Sequence, residues 1–110
     1  MTNEDFEIEV SNSYNRSRKL LLRKGLEYTH GDDRLGQFYK ASAAQGITPT
    51  MALVGMMAKH FISISDMSKD PLDYATKTWD SKICDLRKYT FLLDALVRDM
   101  NKVFDNERCI

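Results

Sequence analysis

Thr48–Met67, TPTMALVGMMAKHFISISDM, is the stretch whose reading decides the fold. Thr48 and Pro49 together mark a helix start: the hydroxyl accepts from a free N–H of the first turn, and a proline at the first helical position leaves no N–H unsatisfied. Met51, Leu53, Val54, Met56, Met57, Phe61, Ile62 and Ile64 then cover most of the surface, so the helix is expected to be core nearly all round. Lys59, Ser63 and Asp66 interrupt that surface. At ~100° per residue they fall within about 60° of each other, flanked by His60 and Met67. A lysine or aspartate buried without a partner is costly, so this stripe is expected to face another polar surface or a ligand.

On the N-terminal side, Gly46 closes a preceding helix that Asp32 or Asp33 caps, with Leu35, Phe38, Tyr39 and Ser42 facing inward. Residues 25–32, GLEYTHGD, connect it to a first helix running from Ser11 or Ser13 to Lys24 and ended by Gly25. Residues 1–10 form an acidic lead-in in which Phe6, Ile8 and Val10 alternate with Glu7 and Glu9, as a short strand or a frayed first turn. On the C-terminal side, Pro71 disfavours helix at Asp70 and stops the central helix within SKDPL. A long fourth helix follows from about Tyr74 to Val103, with Trp79, Ile83, Leu86, Leu93, Leu96, Val97, Met100 and Phe104 at helical spacing. The fold expected is all-α: a bundle of about four helices in one domain over residues 11–105, with a tail at 106–110. A helix of ~30 residues spans about 45 Å, more than a small four-helix core needs, so the long apolar helices are expected to oligomerise.

Composition narrows the function classes. The 110 residues suit one core, with 43% hydrophobic and 29% charged residues. Sixteen basic and sixteen acidic residues cancel, which argues against duplex nucleic acid, whose phosphates need a cationic surface. Cys84 and Cys109 make neither a disulfide framework nor a zinc spacing and fit a reducing, cytoplasmic setting. MTNEDFEIEV lacks the cationic and apolar regions of a signal peptide, and no apolar run reaches the ~18–20 residues of a membrane span.

Several constellations bear on chemistry. Lys82, Asp85 and Tyr89 stand at i, i+3 and i+7 on the fourth helix, with Trp79 extending the row. As a bland feature this is a solvated face with local ion pairing; meeting the Lys59–Ser63–Asp66 stripe, it becomes a site between facing helices. Arg34, at the start of the second helix, can clamp a phosphate. Phe38, Trp79 and Tyr89 suit the core or stacking on a base. The candidate ligand-binding residues are therefore Arg34, Phe38, Lys59, His60, Ser63, Asp66, Trp79, Lys82, Asp85 and Tyr89. No catalytic residue, resident metal or cofactor is expected.

The segment from Leu22 to Met67, followed by WDSKICDLRKYTFLLDAL, resembles the type 1 nucleotide-modification-associated domain proteins, small helical proteins common in phages. The motifs G-D-D-R-L-x-x-F, G-I-T-P, M-A-K-H and K-I-x-D-L-x-x-Y carry the likeness, which spans roughly residues 20–98 and extends distantly to the MazG-like nucleoside triphosphate pyrophosphohydrolases. The resemblance implies a helical bundle, dimeric or larger, that holds a nucleotide-like ligand in a host-cell cytoplasm. Those enzymes hold Mg²⁺ with carboxylates three residues apart, whereas the comparable pair here is Lys82 and Asp85, which suits direct phosphate contact. The leading expectation is thus a phage-type protein that sequesters a nucleotide-derived metabolite or immune signal uncleaved. The alternatives are a Mg²⁺-dependent pyrophosphohydrolase with Glu27, Asp33, Asp66 and Asp85 as ligands, and a structural or protein-binding helical adaptor.

Overall fold

A computed structural model describes the backbone of residues 1–28 and 33–108 and the side chains of residues 1–23 and 33–102. The described residues form four α-helices and one short 3-10 turn, with no strand, so the chain is all-α. It is described as two compact units, Met1–Arg34 and Leu35–Ile110.

The first unit carries α1, Asn3–Tyr28. The expected acidic lead-in is already helix. The Thr2 hydroxyl accepts from the Asp5 N–H at 3.0 Å, and Glu4 and Asp5 sit in the first turn, where negative charge complements the helix dipole. Of the two readings of the Phe6, Ile8 and Val10 alternation, the helical turn is the one found, extended into a full helix, because the alternation is too short to outweigh these start signals. Gly25 does not end the helix: an interior glycine costs only about 1 kcal/mol, and α1 continues to Tyr28.

In the second unit, α2 spans Gly36–Gln45, α3 Pro49–Met67 and α4 Thr76–Arg108, with the 3-10 turn at Pro71–Asp73. Neither end of α2 is symmetric in its chemistry. Leu35 stands at its N-cap and supplies no side-chain bond, so Asp33 is not the cap expected; Asp32 lies outside the described residues. At the other end Gly46 takes φ 68°, the left-handed conformation glycine adopts freely, and the Gly46 and Ile47 N–H groups both close onto the Ser42 carbonyl. The chain then turns by 99° into α3. The Thr48 hydroxyl accepts from the Met51 N–H at 3.1 Å, with Pro49 directly after it, as the sequence predicts. After Met67 the chain passes through the Pro71–Asp73 turn, tied to α4 by the Trp79 indole N–H donating to the Pro71 carbonyl at 3.0 Å. α4 starts at Thr76 and runs through Arg108, so most of the expected tail is helix.

α3 is the hub, packing against both α2 and α4. Phe38, Leu53 and Leu96 are wholly buried, with Ala52, Met67 and Leu92 nearly so. On α4 the inward stripe runs Lys82, Asp85, Tyr89, Leu92, Leu96, Asp99, alternating steps of three and four, apolar in the middle and polar at both ends. The far end is fixed to α2 by the Tyr39 hydroxyl donating to Asp99 Oδ2 at 2.7 Å.

One expectation about α3 fails. The helix is not core all round: Met51, Val54, Phe61 and Ile62 are exposed, Phe61 to 62%. Periodicity reports how apolar a face is; what covers it depends on how many neighbours the chain provides, and α2 and α4 cover about half the circumference.

Candidate functional site

The middle of α3 faces the first half of α4 through His60, which flanks the expected Lys59–Ser63–Asp66 row, rather than through that row itself. His60 Nδ1 lies 3.9 Å from Asp85 Oδ2, within ion-pair range but too long for a hydrogen bond. The His60 and Tyr89 rings stand 5.0 Å apart at 31°, and Lys88 Nζ sits 4.8 Å from the Tyr89 ring centre. Both distances fall in the range of favourable aromatic and cation–π contacts. His60 and Asp85 are mostly buried, with side chains 18% and 26% exposed, while Lys82, Lys88 and Tyr89 are half-buried.

The electrostatics are unbalanced. Burial lowers the His60 pKa below its ordinary 6.5; Asp85 opposes the shift, and Lys59, Lys88 and Lys82 each add to it. Among the described residues, Lys59, Lys88 and Lys82 act on the imidazole in one direction and Asp85 in the other. Burial, reinforced by Asp85, raises the Tyr89 pKa above its ordinary 10.0. At neutral pH the junction holds a neutral imidazole and a neutral phenol, with Lys88 beside the phenol ring and Lys59 and Lys82 acting on the imidazole through their charge. Such a surface can hold an anion and offer an aromatic edge to a flat group.

The other expected site residues lie elsewhere. Phe38 is wholly buried in the core and presents no surface for stacking. Trp79 is half-buried and held to the Pro71–Asp73 turn by its N–H bond and by Tyr74, edge-on at 6.4 Å and 80°, so it closes a connection. Lys59 is exposed, and Ser63 is half-buried beside it on the helix surface. Asp66 is 67% exposed and pairs with Lys69 at 3.6 Å, an arrangement water solvates without help from a ligand. The premise that Lys59 and Asp66 are buried and need a guest is thus corrected. Arg34 is half-buried and belongs to the first unit. Lys88, which sequence reasoning left out, is the junction's third lysine; its i+3 spacing from Asp85 was the available signal.

Among the described residues no three histidine, cysteine, aspartate or glutamate side chains gather as a metal ion would need. The Glu27 side chain lies outside the described residues. A concavity lies on the opposite, solvent-facing side of α3. It is an open groove of about 420 Å³ lined by Thr50, Met51, Val54 and Gly55, almost entirely apolar. No helix among the described residues is alone long and apolar enough to cross a membrane. No family model matches this chain, and neither a curated protein nor a solved structure matches it.

Proposed function

We propose that this protein is a self-assembling helical module, structural or adaptor-like in role, whose working form covers the outer face of α3 with a second copy of the chain. One observation carries the reading. α3 already gives one apolar face to the core, yet Met51, Val54, Phe61 and Ile62 form a second apolar face open to water. Removing apolar surface from water is worth about 25 cal/mol per Å², and a contiguous exposed apolar patch is characteristic of an interaction surface. The expectation that the long apolar helices oligomerise agrees with this reading. Ultracentrifugation of the intact protein tests it: the expected mass is a multiple of 12.7 kDa, and Phe61→Glu gives a helical monomer. A wild-type monomer at every concentration defeats it.

A second reading is favoured by the α3–α4 junction. There a phosphorylated ligand of the nucleotide class would meet Lys59, Lys82 and Lys88, with His60 and Tyr89 against its flat part. Among the described residues Asp85 is the carboxylate at this junction, which supports capture without cleavage. This is the surviving part of the nucleotide expectation, without Phe38, Asp66 and Trp79. Its test is a thermal shift with a nucleotide panel. A ligand at 100 times its Kd adds about 2.7 kcal/mol, and Lys82→Ala with Lys88→Ala removes the gain. No shift with any nucleotide defeats it.

A further inference from the structure

We infer that two copies pair through α3 in antiparallel fashion about a two-fold axis at Ala58, Phe61 of each copy entering the other's Thr50–Gly55 groove. This rests on the self-assembly proposed above and adds its geometry.

The outer face of α3 has the spacing of a helix-pairing seam. Met51, Val54, Ala58, Phe61 and Ser65 are all exposed and follow steps of three, four, three and four. That 3.5-residue period is the one by which a helix presents a continuous seam to another helix. No charged residue interrupts the seam; Lys59 and Asp66 lie along one edge of it. A partner of opposite charge therefore has nothing to grip here, and an apolar helix does.

The seam is also complementary to itself. At its N-terminal end is the apolar groove of Thr50, Met51, Val54 and Gly55. A side chain built on Gly55 would meet nothing within 4 Å, so the groove is open above that residue. Toward the C-terminal end stand the two large projecting side chains, Phe61 and Ile62, 62% and 58% exposed. A two-fold contact is isologous: if residue i meets j, then j meets i. With Ala58 on the axis, Phe61 comes opposite Gly55, Ile62 opposite Val54, and Met51 opposite Ser65. Phe61 is thus set against Gly55 and Met51 against Ser65, a large side chain against a small one in each case. Gly55 and Ala58 lie near the crossing, where small residues allow helix axes as close as about 8 Å. A parallel pair would instead stack Phe61 on Phe61 and leave both grooves empty. The self-matching of knob and groove on one helix is what selects a second copy as the occupant.

Cysteine cross-linking reads this register directly. In a full-length background with Cys84 and Cys109 replaced by alanine, Ala58→Cys is expected to give, under mild oxidation, a species of twice 12.7 kDa that disappears on reduction. Gly55→Cys and Phe61→Cys, each alone, are expected to cross-link weakly, and their mixture strongly. Gly55→Cys has room for its side chain and Ala58→Cys is on the surface; circular dichroism confirms that each variant is folded. Strong self-linking of Gly55→Cys and Phe61→Cys with no gain on mixing overturns the antiparallel register while leaving self-assembly standing. A wild-type monomer by ultracentrifugation overturns both. A dimer in which none of these pairs links overturns the α3 register alone.

Discussion

His60 is the residue whose surroundings speak most plainly about pH. Its folded pKa lies below the ordinary 6.5 because burial, with Lys59, Lys88 and Lys82, outweighs Asp85. Between the folded value and 6.5 the unfolded chain binds more protons, so stability rises with pH across that window. His60 therefore contributes its full share above about pH 6.5. That share shrinks as pH falls below 6.5 and levels off once the folded imidazole is protonated too. Melting curves of wild type and His60→Gln should run parallel above neutrality and converge on the acid side. Curves that stay parallel through the acid range would show that the imidazole titrates as if in water. Asp85→Asn removes the one neighbour that favours the charged ring, so an NMR titration of that variant should place the His60 pKa lower still. Tyr39 is a second residue whose side-chain contact can be tested directly. Its hydroxyl donates to Asp99 at 2.7 Å with both groups exposed, so Tyr39→Phe should cost about 0.5–1.5 kcal/mol in denaturant unfolding.

Among the elements, α3 was the most legible from sequence and also the most instructive failure. Its start was readable because capping is local chemistry: Thr48 and Pro49 act within one turn, and Thr48→Ala should cost about 1 kcal/mol. Gly46 was readable for the same reason. The first ten residues were not, since Thr2 and the acidic first turn had to be weighed against a competing alternation. The site was only half legible. Helical spacing put Lys82, Asp85 and Tyr89 on one face of α4, but it pointed to Lys59, Ser63 and Asp66 on α3 where the structure brings His60. That Asp66 would pair with Lys69 in water, and that Phe38 would sit in the core, depended on which neighbour lies where, which spacing does not encode. The two faces of α3 make this measurable. Leu53 is wholly buried and Leu53→Ala should cost about 2–5 kcal/mol by transfer and cavity terms. Phe61 is larger but 62% exposed, and Phe61→Ala should change the stability of a dilute, unassembled chain by less than about 0.5 kcal/mol. A loss at Phe61 as large as that at Leu53, independent of protein concentration, would mean the outer face is covered within one chain.

For the whole molecule, the same asymmetry becomes a dependence on concentration. On the proposed pairing, a helix apolar on both faces with one face exposed has its folded state completed by association. Anything that binds the folded but not the unfolded state stabilises the former by mass action, and a second copy is such a ligand. The wild-type Tm should therefore rise with protein concentration, and the m-value should exceed that of a monomeric variant, because unfolding exposes the α3 seam as well as the core. Phe61→Glu removes both effects for one reason: it sets a charge opposite the Gly55 groove, where its burial has no partner. The variant keeps its inner face, with Leu53 against the core, so its helical signal should equal that of the wild type at low concentration. The diagnostic result is a Tm that climbs with concentration in the wild type and stays flat in Phe61→Glu, the two meeting on dilution. A flat wild-type Tm, with the same m-value in both proteins, would mean that the outer face of α3 works exposed, and the pairing would be abandoned.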